Sequence, residues 1–122
     1  MNAAPESVDV PQDVIDDVLG EFLAFRDATR DNVYLPGQFA AGAMCYAHYA
    51  GFTLHFQAQR PGFVLDPVTY RLQPVPDHWL MDPRGWQPKN PRRDLVRAAA
   101  FILAELARLD AVLDANKPAE PA

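Results

Sequence analysis

A chain of 122 residues with 49% hydrophobic and 22% charged residues has the length of one domain and the composition of an ordinary soluble globular protein. Its formal net charge of -5 argues against general electrostatic binding to nucleic acid or to acidic membrane surfaces. The single cysteine, Cys45, excludes an internal disulfide framework; with no signal-peptide pattern and no apolar run long enough for a membrane span, a cytoplasmic protein is expected.

Residues 1–9 and 115–122, rich in Pro, Ala and charge, lack apolar periodicity and read as disordered ends around a single helical domain over residues 10–114. The first helix is predicted from Pro11 to about Arg30, with Val14, Ile15, Val18, Leu19, Phe22 and Phe25 recurring at spacings of three and four. A second helix starts near Pro36 and is dominated by Ala40, Ala41, Gly42, Ala43, Ala47 and Ala50, small residues that permit close helix approach. Residues 52–60 suit either its continuation or a short strand.

Seven prolines between Pro61 and Pro91 forbid a regular helix or central strand there. Phe63, Tyr70, Trp79 and Trp86 in the same stretch predict an ordered loop over residues 61–90, wrapped on the helices. A long third helix follows over 91–114, with Asn90 as its cap and Pro91 in its first turn. Its Leu95, Ala99, Ile102, Leu106, Leu109 and Leu113 keep a 4-3-4-3-4 spacing. At about 36 Å by the usual helical rise it is long for so small a domain, so part of this stripe is expected to meet another subunit. The fold class is therefore mainly α, about three helices with an ordered proline-rich loop, in a helical homo-oligomer.

Few residues carry a chemical signature. Asp13, Asp16 and Asp17 on the first helix, with Glu105 and Asp110 on the third, lack the Glu-x-x-Glu spacing of magnesium-dependent pyrophosphohydrolases and read as a solvated face. His48 and His55 lie two helical turns apart, about 10 Å, too far to share a metal. Cys45 precedes His48 by three residues, but a cysteine among alanines reads as a small hydrophobe rather than a nucleophile.

The basic cluster is different. Arg84, Lys89, Arg92, Arg93 and Arg97 are five of the eleven Lys and Arg residues and fall within fourteen positions. Four of them crowd a helix start, the end that basic residues normally avoid. Free N–H groups, the helix dipole and Lys89, Arg92, Arg93 and Arg97 would together hold a phosphate or carboxylate. Trp86, with Trp79 or Tyr46, would contact a base. The opposing reading is that Asp94 and the acids of the first helix pair with these arginines.

The segment "GWQPKNPRRDLVRAAAFILAELARLDA" resembles the C-terminal signature of small phage and prophage proteins, a Trp-x-Pro-Lys segment followed by a basic pair and Asp-Leu-Val-Lys/Arg-Ala. "DNVYLPGQFAAGAMCYAHYA" is similar to their upstream helix, with Tyr34 where a His is usual and Ala99, in the later segment, where a Gly is usual. The two segments span about 50 of the 122 residues. The resemblance reaches MazG-like nucleotide pyrophosphohydrolases, whose catalytic Glu motif is missing here, so it implies helical architecture more than activity.

A phage context implies a non-enzymatic role. The expectation is a binding protein of the host-cell cytoplasm that sequesters a phosphorylated signalling nucleotide against bacterial defence. It would use no catalytic residue, metal or cofactor, and bind no nucleic acid or membrane. The alternatives are a MazG-like pyrophosphohydrolase and a module that docks an acidic protein partner.

Overall fold

The computed structural model describes residues 9–29 and 33–116. They form helices α1 (Gln12–Ala28), α2 (Gln38–Gln59), α3 (Pro67–Arg71) and α4 (Pro91–Ala115), with a 3-10 turn at Pro83–Gly85 and no strand. The mainly helical class, the long C-terminal helix and the ordered proline-containing loop agree with the sequence. Most of the two ends expected to be disordered, and the expected end of the first helix at Arg30, lie outside the described residues.

The proline-dense stretch is less irregular than its composition suggests. Three times an Asx residue precedes a proline, and each time its side chain caps the helical turn that follows. Asp66 accepts from the Val68 N–H, Asp82 from the Arg84 N–H, and Asn90 from the Arg93 N–H. Proline supplies a pre-set first helical residue with no N–H to satisfy, and the Asx oxygen satisfies the next free donor.

Residues 52–59 continue α2 as helix. The Thr53 hydroxyl donates to the Tyr49 carbonyl at 2.9 Å, and Phe56 meets Phe63 edge-on at 5.1 Å. Gly37, with φ 86°, brings the chain into α2, a left-handed conformation that glycine adopts without steric cost.

α4 is the central element, with α2 packed along it more extensively than α1. The pairs Asp17–Arg92, Glu21–Arg97 and Phe25–Phe101 advance together, so α1 runs parallel to α4. Phe39–Arg108, Ala40–Glu105 and Tyr46–Arg97 run in opposite order, so α2 is antiparallel to it.

Small residues set the spacing of α2 on α4. A Cβ on Gly42 would stand 2.5 Å from the Met81 methyl and 3.0 Å from the Phe101 ring. Such an approach selects the face of α4 bearing Asp94, Ala98, Phe101 and Ala104, all of which are buried. The loop contributes Trp79 and Trp86, which close the core over Phe39, Ala43 and Tyr46. Their indole N–H groups donate to the Asp82 and Gln73 carbonyls at 2.9 and 3.1 Å.

The leucine stripe of α4 therefore faces outward. Leu95, Ile102, Leu106, Leu109 and Leu113 are 40% to 58% exposed. No residue of α1 is buried; Phe22 and Phe25 lean on the core from its edge.

Candidate functional site

The basic cluster gathers where the sequence places it, at the start of α4, and each of its arginines meets an acid. Arg92 Nη2 lies 2.8 Å from an Asp17 oxygen on α1. Arg93 Nη1 donates to Asp94 at 3.0 Å and to the Gln87 carbonyl at 2.9 Å. Arg97 Nε is 3.6 Å from Glu21 without a hydrogen bond of its own, its guanidinium 5.5 Å from the Tyr46 ring centre and 5.7 Å from that of Phe101. Lys89 contributes its backbone N–H to Asp94, at 3.1 and 3.3 Å, while the residue itself is exposed. The reading in which the chain's own acids neutralise these arginines matches this geometry.

The three rings expected to contact a base are core residues. Tyr46 is 0% exposed; its hydroxyl donates to the Gly85 carbonyl at 3.1 Å and accepts the Gln87 N–H at 2.9 Å. Its ring centre lies 4.7 Å from that of Trp86 and 5.6 Å from that of Trp79. Each polar atom of these rings thus binds the loop, and the ring faces pack on one another.

The focus of the region is Asp94, buried at 0% exposure. Besides Lys89 and Arg93, it accepts the Tyr70 hydroxyl at 2.6 Å. Burial, and then the bond to Asp94, push the Tyr70 phenol far above its ordinary range. Tyr49 stacks on Tyr70 at 4.5 Å and donates to its carbonyl at 3.1 Å. Burial raises the Tyr49 phenol too, followed by the negative charge of Asp94. Sequence reasoning weighs Asp94 as a partner of the arginines but gives no sign of the tyrosines, because α3 carries Tyr70 in from a position 24 residues away.

A cavity of about 290 Å³ lies between α2 and the loop, lined in part by Cys45, His48, Tyr49, Gln73, His78 and Trp86. Burial pushes the Cys45 thiol up, which keeps it protonated and poorly nucleophilic. His48 packs against Phe52 at 6.0 Å. Among the described residues no three His, Cys, Asp or Glu side chains gather as a metal site. The carboxylates weighed for a divalent cation turn to different neighbours, Asp17 to Arg92 and Glu105 to the Ala40 N–H.

Fold and site together define a small helical protein in which Arg92, Arg93 and Arg97 at the start of α4 each lie beside an acid of the same chain. Among the described residues no helix is long and apolar enough to cross a membrane. No protein-family model, curated protein or solved structure matches the chain.

Proposed function

We propose that the protein acts without chemistry of its own, as a helical module that self-associates through the outward face of α4. One observation carries this reading: α4 buries its alanine side and leaves five large aliphatic side chains of a heptad stripe 40% to 58% exposed. An apolar stripe with that spacing is the seam of helix–helix association, and contiguous exposed apolar surface marks an interaction site. The native mass in solution tests it. A multiple of the 13.6 kDa chain mass is expected, and Leu106→Glu should reduce it to one chain while the helical circular dichroism is kept. A native mass of one chain at micromolar concentration overturns the reading.

A second reading is sequestration of a phosphorylated nucleotide at the start of α4, the anti-defence role that a phage context implies. In its favour, Arg92 and Arg93 line a groove of about 200 Å³ with Asp17, Glu21 and Val96, and the Arg92 side chain is half exposed. A phosphate would enter by displacing Asp17, since bidentate contact needs a free guanidinium edge. Thermal-shift screening with nucleotides and cyclic dinucleotides tests this, with Asp17→Asn expected to tighten binding. No shift with either protein rejects it.

A further inference from the structure

We infer that two copies of this chain pair through α4 in antiparallel orientation about a two-fold axis, an inference that rests on the self-association reading above. Spacing supplies the seam and charge supplies the direction. Arg92 and Asp110 are eighteen residues apart, five full helical turns, so they lie on one line along the border of the stripe, with Asp114 one turn beyond. Parallel pairing would set Arg92 beside its own copy, Asp110 beside its own copy, and the helix dipoles side by side in the same sense. Antiparallel pairing brings the half-exposed Arg92, which keeps its pair with Asp17, toward Asp110 and Asp114 of the other copy and opposes the dipoles.

The register follows from using the whole stripe. Leu95 then faces Leu113 of the second copy, Ala99 faces Leu109, and Ile102 faces Leu106. Ala99 is the one small residue of the stripe, and it lies on a groove between α1 and α4 of about 240 Å³ that Val14, Val18, Arg92, Leu95 and Val96 complete. Leu109 and Leu113 stand out at the other end, 50% and 58% exposed. A two-fold axis brings these projecting leucines onto the groove of the opposite copy, and the reverse, as an isologous interface requires. Glu105, which flanks the axis, is drawn back toward α2, where it accepts the Ala40 N–H at 3.1 Å.

Cysteine cross-linking tests the arrangement with the full chain. In the antiparallel register a residue such as Leu95 is about 27 Å from its own copy, eighteen helical rises, yet adjacent to Leu113 of the second copy. A mixture of the Leu95→Cys and Leu113→Cys proteins should form a mixed disulfide dimer at least tenfold faster than either protein cross-links with itself. Adding Leu106→Glu to both should abolish that advantage. Faster cross-linking of either variant with itself indicates parallel pairing and overturns the inference. A native mass of two chains with no preferred cross-link also overturns it while self-association stands. A native mass of one chain fails both.

Discussion

Three donors from two parts of the chain end on the carboxylate of Asp94: the Lys89 N–H, the Tyr70 hydroxyl and the Arg93 guanidinium. The first fixes the entry of α4, the second ties α3 to it, and the third holds a cation over the core edge. Removing a shared buried acceptor strands its donors away from water. Asp94→Ala should therefore cost about 3–5 kcal/mol, read from the urea unfolding midpoint. Arg92→Ala, at an exposed pair, should cost less than about 1 kcal/mol in the same assay. The tyrosine partner also makes stability pH-dependent. The folded Tyr70 phenol is raised above its ordinary value of 10.0, so the unfolded chain loses that proton first. Its contribution is intact below about pH 10 and is lost as pH rises beyond it. Burial of Cys45 acts in the same sense above the ordinary thiol range. Stability should fall steeply in strong alkali, and Tyr70→Phe, though weaker at neutral pH by about 1–3 kcal/mol, should show a shallower fall.

Helix existence was legible wherever a period of 3.6 or a cap announced it, and least legible where packing had to choose between faces. α4 was readable from Asn90-Pro91 and its spacing, and it runs Pro91–Ala115. Asp66-Pro67 and Asp82-Pro83 carry the same signal for α3 and the 3-10 turn, but the density of prolines around them masks it. The length of α4 leads to the expectation that part of the leucine stripe turns outward, but not that all five of its large side chains do, because periodicity finds an apolar face without saying what covers it. That choice is made by Gly42 and the alanines of α2, which leave room for the Phe101 ring of α4 between its buried alanines Ala98 and Ala104. Nor could sequence choose between internal pairing and an anion site at Arg92, since its acid, Asp17, arrives from a helix 75 residues away. The packing argument makes a prediction at Gly42. Its added Cβ would meet the Met81 methyl, which can swing aside, and the Phe101 ring, which is held in the core. Gly42→Ala should destabilise by about 1–3 kcal/mol despite its better helix propensity, measured by thermal or urea unfolding. An increase in stability would show that α2 and α4 have room to separate.

At the scale of the whole molecule the interior is narrow: the large buried side chains are mostly aromatic, supplied by α2, α3, α4 and the loop, and α1 buries none. Much of the aliphatic surface that ordinarily stabilises a domain of this size lies outside, on the exposed sides of α1 and α4, where Ile15, Leu19, Leu23 and the large side chains of the α4 stripe are 39% to 58% exposed. Pairing through the α4 stripe, as proposed above, would supply what such a core does not, since burial is worth roughly 25 cal/mol per Å² of apolar area removed from water. If folding and pairing are coupled in this way, thermal stability must depend on concentration, because dimerisation draws the folded state by mass action. Each tenfold rise in protein concentration adds about 1.4 kcal/mol to the unfolding free energy of a dimer. For a unit of two 122-residue chains this raises Tm by about 2–4 °C per decade. Leu106→Glu should make Tm both lower and independent of concentration. A wild-type Tm that is constant from micromolar to hundreds of micromolar would place the stability within the single chain and leave the α4 stripe without an energetic role in the fold.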